Sequence, residues 1–339
     1  MYVMPVNRAV KVLHFTEAGG GVTSVISQLV KTNPSVDHTI FLRKRQNFTD
    51  LTELRFPNSK VIVWDGNIFI GFFKLLRMSK QEKYTFIHLH SSYAGLARIF
   101  TFKAQVIYSP HCFAFERRDI SKFFYHLIRF IEKVLTRRTD FYLLVSLREG
   151  DLLRKLKNSA KFAVYKPRVP FWLASKPRRK FIVVGRICPQ KNPQELVQFL
   201  NEYPKLKSSA EFIWIGDGES ELKEELIRSG VHVTGWLSNS EVLFAMADCL
   251  AIIHMALWEG YPVIFAEAAA GGIPVFIKSA PYSENFTEFR IFQSLEELNQ
   301  LCEKSLTSLS RDVIQNSPCN DNFTSFNFYQ SLLMKRVQQ

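Results

Sequence analysis

The sequence predicts an α/β protein of two doubly wound units, each built on a parallel sheet. The chain has 339 residues, more than one hydrophobic core usually supports, so two domains are expected. Short apolar runs recur from end to end, and many of the stretches between them carry helical periodicity. That alternation is typical of parallel sheets with helices on both faces.

The first half contains six strand candidates, each followed by a turn or a helical pattern. The predicted strands are VKVLHF (10–15), HTIFLR (38–43), KVIVW (60–64), FIHLH (86–90), QVIYS (105–109) and FYLLV (141–145). The predicted helices fall at about residues 22–31, 68–80, 93–102, 120–137 and 147–157. These elements define an N-terminal domain over residues 1–165.

A linker is predicted at residues 166–180, KPRVPFWLASKPRRK, because prolines and basic residues replace periodicity there. A second domain, residues 181–318, follows. Its predicted strands are FIVVG (181–185), EFIWIG (211–216), VHVTG (231–235), CLAIIHM (249–255) and IPVFI (273–277). The tail, residues 319–339, has a helix-like pattern, and we expect it to cross back to the N-terminal domain.

Composition narrows the class of protein. Apolar residues make up 47% and charged residues 22% of the chain, which indicates a folded protein. The five cysteines are odd in number and never spaced as CxxC, so a reducing cytoplasm is expected. The N-terminus resembles a first strand more than a signal peptide. The formal charge of +13 predicts an anionic partner such as a nucleotide phosphate, a membrane surface or nucleic acid.

Residues that carry chemistry are expected just after strands, because parallel sheets bind ligands at their carboxyl ends. The first strand is followed by Gly19, Gly20 and Gly21. Glycines there let backbone amides approach a phosphate or sugar, although a flexible turn explains the pattern equally well. The order G-x-G-x-x-G is missing, which disfavours a nicotinamide enzyme.

Two cations follow the strand at residues 181–185, in GRICPQKNP. Arg186 leaves the strand directly, and Lys191 precedes a helix start with Asn192 at the cap and Pro193 in the first turn. A planar fork beside a point charge suits a diphosphate. The alternative is solvated surface charge.

The stretch WEGYPVIFAEAAAGGIPVF, residues 258–276, sets Glu259 and Glu267 around a helix expected to start at Pro262. Two acids beside an anion site are best placed as acceptors for hydroxyls. The apolar neighbours of Glu267 argue against an exposed position. The first amides of the helix, expected to face an anion, belong to Tyr261, Val263 and Ile264.

Together, the glycine-rich first loop, GRICPQKNP, IGDGE, VTGW and WEGYPVIFAEAAAGGIPV resemble the retaining family 4 glycosyltransferases of the GT-B fold. That family has two glutamates with seven residues between them, the spacing of Glu259 and Glu267. The resemblance covers nearly the whole chain and is strongest at residues 181–276. It implies two Rossmann-like domains facing each other across a cleft, the N-terminal one on the acceptor side.

The resemblance also implies roles. Arg186 and Lys191 would bind the donor diphosphate, Glu267 the ribose, and Glu259 the transferred sugar. The remaining implied donor contacts are Gly20, Gly21, Trp236, Leu237, Gly260, Tyr261 and Val263. The catalytic set would be Glu259, His111, Arg186 and Lys191.

His111, in YSPHCFAFERRD, matches the cleft histidine of the family. On the residues alone, a lone histidine is more often structural, and the same holds for His90. Cys112 stands where the family commonly has a small glycine, which puts the fit of the acceptor in doubt. YKPRVP replaces a common Asn-Gly pair before the linker.

The reaction implied is transfer of a hexose, with retention, from a UDP- or GDP-type sugar to a hydroxyl of a glycan or polyprenyl-linked acceptor in bacterial surface polysaccharide assembly. No cofactor and no metal are expected, since there is no Asp-x-Asp motif and protein cations neutralise the leaving group. The rival interpretations are a nucleotide-sugar epimerase of the same architecture and a basic nucleic-acid binder, for which no known module is present.

The segment 117–138 is a basic helix that is a candidate for contact with an anionic membrane surface. Its apolar residues have core spacing, which favours a core-packed helix with a solvated basic face, but the adjacent arginines, lysines and aromatic rings also suit an anionic lipid surface. We expect a cytoplasmic protein at the inner face of the membrane. The apolar stripe comprises Ile120, Phe123, Phe124, Leu127, Ile128, Ile131, Val134 and Leu135.

Overall fold

The computed structural model describes residues 10–17, 20–43, 56–167, 169–309 and 328–337. The chain divides into two compact units. Described residues within 1–115, 122–167 and 322–339 form the first, and those within 116–121 and 168–321 the second. All pairings between the described strands are parallel, which confirms the predicted α/β class.

The first unit has a seven-stranded sheet in the order β3-β2-β1-β4-β5-β6-β7. Its strands are β1 (Lys11–Glu17), β2 (Asp37–Arg43), β3 (Ser59–Trp64), β4 (Phe86–His90), β5 (Gln105–Ser109), β6 (Phe141–Leu144) and β7 (Phe162–Val164). Its first five helices are α1 (Gly20–Thr32), α2 (Ile68–Gln81), α3 (Ser91–Gly95), α4 (Lys122–Leu135) and α5 (Leu147–Leu156). The sequence missed β7, whose three residues are only half-buried.

The helix expected at residues 93–102 is shorter than the pattern predicts. α3 ends at Gly95 and continues as a 3₁₀ turn over Leu96–Ile99. The side chain of Arg98 donates from Nε to the carbonyl of Gly95 at 2.7 Å. This side chain occupies a carbonyl that a continuing α-helix would bond to residue 99.

The second unit has a six-stranded sheet in the order β10-β9-β8-β11-β12-β13. Its strands are β8 (Lys180–Val184), β9 (Glu211–Ile215), β10 (His232–Val233), β11 (Ala251–His254), β12 (Val275–Lys278) and β13 (Arg290–Phe292). Its helices are α6 (Pro193–Glu202), α7 (Pro204–Ser209), α8 (Ser220–Arg228), α9 (Asn239–Met246), α10 (Val263–Ala270) and α11 (Leu295–Ser308). The sequence missed β13, a short edge strand.

The last described helix, α12 (Phe328–Val337), belongs to the first unit. Its Phe328 and Tyr329 are buried with Val25 and Leu29 of α1 on one face of the seven-stranded sheet. Residues of α2, α3 and α5 are buried on the opposite face. Both faces of the sheet are therefore covered, as a parallel sheet requires.

The expectation that the stripe of α4 is core-packed is wrong. Phe123 is 70% and Phe130 64% exposed, and of the eight stripe residues only Leu135 is buried. The helix docks through a different edge, because Glu132 turns inward and pairs with the buried Arg98 at 2.8 Å. Satisfying this charge pair orients α4 with its aromatic residues outward. The exposed apolar residues of α4 are Phe123, Phe124, Leu127, Phe130 and Val134.

Arg98 and Glu132 belong to a buried network of hydrogen bonds. Tyr108 donates its hydroxyl to Glu132 Oε1 at 3.1 Å, and its ring lies 3.6 Å beneath the Arg98 guanidinium. Arg98 Nη1 also reaches Thr139 Oγ1 at 3.3 Å.

None of the helices in the described parts of the chain is long and apolar enough to cross a bilayer.

Removing one partner of this buried pair leaves an uncompensated charge. We expect Glu132→Ala to lower the free energy of unfolding by about 3 to 5 kcal/mol. The exposed Lys60–Glu82 pair provides the control, and Glu82→Ala should cost about 0 to 1 kcal/mol. Urea unfolding followed by circular dichroism measures both, and equal losses would show that Glu132 does not anchor α4.

Candidate functional site

The loops that leave β8 and β9 approach each other closely. Gly185 N–H donates to Ile215 O at 3.0 Å, and Ile187 N–H donates to Asp217 O at 2.9 Å. A Cβ on Gly216 would lie 2.2 Å from the carbonyl oxygen of Gly185. Gly216 also has φ +141°, so only glycine fits there without displacing backbone. This contact fixes where Arg186 leaves the sheet.

Arg186 and Lys191 differ in their surroundings. Arg186 is exposed, and no hydrogen bond or ion pair joins it to the described residues. Lys191 is mostly buried, and its Nζ lies 2.6 Å from Glu259 Oε1. Its stem passes over Gly185, where a Cβ would come within 2.7 Å of Lys191 Cε. One cation is therefore open to solvent and the other is held by an acid.

Gln190 fixes the geometry of the Lys191–Glu259 pair. The side-chain amide of Gln190 donates to the backbone carbonyl of Trp258 at 2.8 Å. The backbone carbonyl of Gln190 accepts from Leu257 N–H at 2.9 Å. The loop before α6 and the loop before α10 are thus joined beside the ion pair. We infer that the two charged side chains are preorganised.

His254, at the end of β11, faces the same acid. Its Nε2 lies 3.8 Å from Glu259 Oε1, too far for a hydrogen bond. This buried nitrogen has no hydrogen-bond partner among the described residues. Burial, and secondarily the charge of Lys191, holds the His254 pKa well below its usual range. A neutral buried imidazole with one unpartnered nitrogen can accept or donate a hydrogen bond to a ligand or a water molecule.

The helix expected to start at Pro262 begins one residue later. Pro262 is the N-cap of α10, with φ −66° and ψ 118°, and Val263 is the first helical residue. Phe265 N–H donates to Pro262 O at 3.0 Å. The amides of Val263 and Ile264 precede any helical carbonyl, so they remain available to an anion. Gly260, before the cap, is buried, and Tyr261 packs its ring 5.3 Å from that of Phe286.

Glu267 is buried in α10, as its apolar neighbours predict. Its Oε1 accepts a hydrogen bond of 2.7 Å from Asn239 Nδ2. Burial raises the Glu267 pKa, and the Asn239 hydrogen bond opposes this only in part. The end of α10 is held by Trp172, whose Nε1–H donates to the Glu267 carbonyl at 3.0 Å. A Cβ on Gly271 would lie 2.3 Å from the Trp172 ring.

The predicted base-binding backbone lies just before α9. Trp236 is 47% exposed, while Leu237 packs against the core that contains α10. Ser238 and Glu241 then form a reciprocal capping box at the start of α9.

The N-terminal cap of α6 differs from the one that the sequence predicts. Asn192 is the N-cap but has φ 55° and makes no side-chain cap.

The other predicted site residues belong to the first unit. α1 begins at Gly20 rather than near Val22, so Gly20 and Gly21 contribute first-turn amides; Gly19 lies outside the described residues. His111 is half-buried, with φ 54°, and burial lowers its pKa to about 4. The next amide, of Cys112, donates to the buried Glu149 at 2.7 Å.

Part of the second unit is similar to a known protein family. Residues 178–288 match the model of the family described as glycosyl transferases group 1. This group 1 segment holds Arg186, Lys191, Glu259 and Glu267. Its match confirms the predicted similarity to glycosyl transferases group 1.

Similar proteins extend over most of the chain. A 41.2 kDa protein in the cps region of Klebsiella pneumoniae is 25% identical over 314 residues, 78% of this chain and 79% of that protein. UDP-Gal:alpha-D-GlcNAc-diphosphoundecaprenol alpha-1,3-galactosyltransferase of Escherichia coli is 27% identical over 271 residues, 71% and 68% of the two chains. The structure of the lipopolysaccharide outer core galactosyltransferase WaaB has a TM-score of 0.64 at 17% identity, covering 97% of this chain and 99% of WaaB. The GT-B fold is thereby confirmed.

Sequence reasoning missed several residues of the group 1 segment and its flank. Gln190 stands inside a motif that was recognised, but nothing in the sequence shows that it joins two loops. His254 looked like part of an apolar strand. Asn239 and Trp172 are far from Glu267 along the chain, so their contacts with α10 carry no sequence signal.

The raised pKa of Glu267 predicts how the stability of the protein changes with pH. A raised pKa favours folding while the group is protonated, and this contribution is lost as the pH rises from the unfolded value through the folded value. Glu267→Gln mimics the protonated form. We expect the melting temperature of this variant to exceed that of the wild type at pH 7.5, with a smaller difference at pH 5.

Thermal unfolding without ligand, at both pH values, measures this difference. Glu259→Gln is the matched control, because Glu259 has an ion-pair partner and should lose stability on neutralisation. A Glu267→Gln melting temperature below the wild type at pH 7.5 would contradict the assignment of a poorly compensated carboxylate.

Proposed function

We propose that the protein is a retaining hexosyltransferase that uses a nucleoside diphosphate sugar, UDP-sugar first among the candidates, and glycosylates a lipid-linked or glycan acceptor in surface polysaccharide assembly. The observation that carries the proposal is the Lys191–Glu259 pair beside the exposed Arg186, within the group 1 segment. It sets cations for a diphosphate next to an acid for sugar hydroxyls.

Donor binding would share Lys191 between Glu259 and the diphosphate. Arg186 adds a second cation with no competing partner among the described residues, and the Val263 and Ile264 amides add the positive end of α10. As the bond to the anomeric carbon breaks, negative charge grows on the diphosphate, so these groups stabilise the transition state more than the ground state.

Glu259 and Glu267 would take the hydroxyl groups. Lys191 binds Oε1 of Glu259, which leaves Oε2 for the transferred sugar. Asn239 binds Oε1 of Glu267, which leaves Oε2 for the ribose. The first-turn amides of Gly20 and Gly21 and the lone pair of His111 are proposed to bind substrate oxygens, and the backbone at Trp236 and Leu237 to border the base.

The relatives support the choice of donor and acceptor. The name of the E. coli relative specifies UDP-Gal, a diphosphoundecaprenol-linked acceptor and an alpha linkage. An alpha product is consistent with retention when the donor sugar is alpha-linked. The group 1 match at residues 178–288 disfavours the epimerase alternative. No metal enters the proposed mechanism, because protein cations neutralise the leaving group.

Transfer to a lipid-linked N-acetylglucosamine diphosphate acceptor, assayed with UDP-galactose and a panel of other nucleotide sugars in EDTA, tests this function. We expect Arg186→Ala and Lys191→Ala each to lower kcat by about 100-fold. Lys223→Ala, which removes a half-buried cation of the same unit paired with Asp217, should change kcat less than about twofold. Wild-type turnover in both site variants would refute the assignment.

We also propose that α4 rests on an anionic membrane surface. It buries an acid and exposes Phe123 and Phe130, the reverse of a solvated helix face, and Lys122, Lys133 and Arg137 are exposed around them. α2, on the same side of the sheet, exposes Phe69 and Phe73. Aromatic residues ringed by cations suit a lipid interface.

Flotation with vesicles of phosphatidylglycerol at low salt tests the membrane contact. We expect Phe123→Ser/Phe130→Ser to weaken binding by about tenfold or more, because both rings lose apolar burial in the interface. Phe244→Ser, at an 83% exposed position of the second unit, is the matched control and should float like the wild type. If the double variant floats as well as the wild type, α4 does not contact the membrane.

A further inference from the structure

Four histidines of the first unit form a continuous hydrogen-bonded file. His111 Nε2 lies 3.2 Å from His90 Nδ1, and His90 Nε2 lies 3.0 Å from His14 Nδ1. His14 Nε2 lies 3.0 Å from His38 Nδ1. The file ends where His38 Nε2 lies 3.2 Å from the carbonyl oxygen of Asn33.

The carbonyl at the end sets the direction of every bond. The Asn33 oxygen only accepts, so His38 carries its proton on Nε2 and accepts from His14 on Nδ1. A neutral imidazole has one N–H. The same step therefore repeats through His14 and His90, and His111 must also be protonated on Nε2. Its Nδ1 is left as a lone pair, with no partner among the described residues.

A second backbone carbonyl, of Leu143, sets the direction of the His88 hydrogen bonds through Ser109. Ser109 donates its single hydroxyl proton to Leu143 O, so its oxygen accepts from His88 Nε2 at 2.8 Å. His88 Nδ1 then accepts from the hydroxyl of Tyr329, on α12, at 2.8 Å. The His88 ring stacks on His90 with ring centres 3.9 Å apart, which supports the file from the side.

The file is built from neutral rings. Burial holds the pKa values of His14, His88 and His90 well below the usual range and lowers that of His38. A proton passed inward would create an imidazolium in the dry interior and would meet a backbone carbonyl that cannot take it. The arrangement therefore fixes tautomers and is unsuited to conducting protons.

A metal is the other occupant that these rings suggest. Nitrogens of His14, His88 and His90 lie within 4.8 Å of one another. However, both nitrogens of each of these rings have a hydrogen-bond partner. A metal would have to break bonds that already satisfy every nitrogen.

We propose that His90, His14 and His38 are positioning residues that hold His111 as the Nε2–H tautomer, with Nδ1 free to accept a hydrogen bond from a substrate hydroxyl. The hydroxyl rests on the proposed function, whereas the tautomer follows from the file alone. The backbone supports this role, because Glu149 joins the amides of Cys112 and Val145, at 2.7 and 2.8 Å, and holds the loop next to His111.

Nuclear magnetic resonance of the full-length protein labelled with ¹⁵N-histidine tests the tautomer without substrate. Two-bond ¹H–¹⁵N correlations distinguish a protonated from an unprotonated ring nitrogen. We expect His14, His38, His88, His90 and His111 all to be protonated on Nε2 at pH 7.5. A Nδ1–H form of His111 overturns the proposal, as does a Zn²⁺-induced shift of the His14, His88 and His90 signals at stoichiometric metal.

His38 allows the file to be changed at its far end. His38→Leu leaves His14 Nε2–H without an acceptor, and this unsatisfied buried donor is removed only if His14, His90 and His111 reverse their tautomers. His38→Asn keeps an acceptor oxygen near the position of Nδ1. We expect a Nδ1–H signal for His111 in the Leu variant and the wild-type pattern in the Asn variant.

In the transfer assay, His38→Leu should lower kcat by about tenfold or more with KM within about twofold, while His38→Asn retains most of the rate. Ile40→Val, in the same strand and fully buried, controls for loss of packing. Equal rates for Leu and Asn variants that both fold overturn the positioning role. If no nucleotide sugar is turned over by the wild type, the proposed function fails, and the wild-type resonance measurement still decides the tautomer.

Discussion

The residues of the proposed donor site carry charges that are largely shielded from water, so each charge needs a compensating partner. Lys191 and Glu259 are both mostly buried, and either one alone would lose several kcal/mol of hydration without a counter-charge. Their pairing, with Gln190 joining the two loops beside it, preorganises the cation proposed to bind a diphosphate and the acid proposed to bind a sugar. Glu267 is under the same constraint with only Asn239 as partner, and its raised pKa records the incomplete compensation.

The first unit meets the constraint in two further ways. Arg98 and Glu132 neutralise each other inside the unit, and by doing so they fix the rotation of α4 and leave its aromatic residues at the surface. The histidine file instead avoids charge, since each ring donates one proton and accepts one. In both cases an interior arrangement of donors and acceptors decides what the surface of the unit presents: an apolar helix face in one, a lone pair on His111 in the other.

The motifs predicted the family because they record local backbone demands. The positive φ angles at Gly185 and Gly216 are local requirements, and so is the helix with Glu259 before it and Glu267 within it. Prediction failed where a distant partner decides. α4 was assigned to the core by its apolar spacing, yet Arg98, on a different helical segment, reorients it. The one-residue error at the start of α10 has a local cause instead, because the extended ψ of 118° at Pro262 makes it the N-cap and not the first helical residue.

The sequence by itself determined the α/β class, the order of most strands and helices, and the identity of the charged residues after β8 and β11, since periodicity and turn chemistry act over a few residues. Only the tertiary structure decided which of those residues touch. Lys191 reaches Glu259 across 68 residues, Asn239 reaches Glu267 across 28, and Tyr329 reaches His88 across 241. Buried polar groups take whichever partner the packed sheets bring within hydrogen-bond distance.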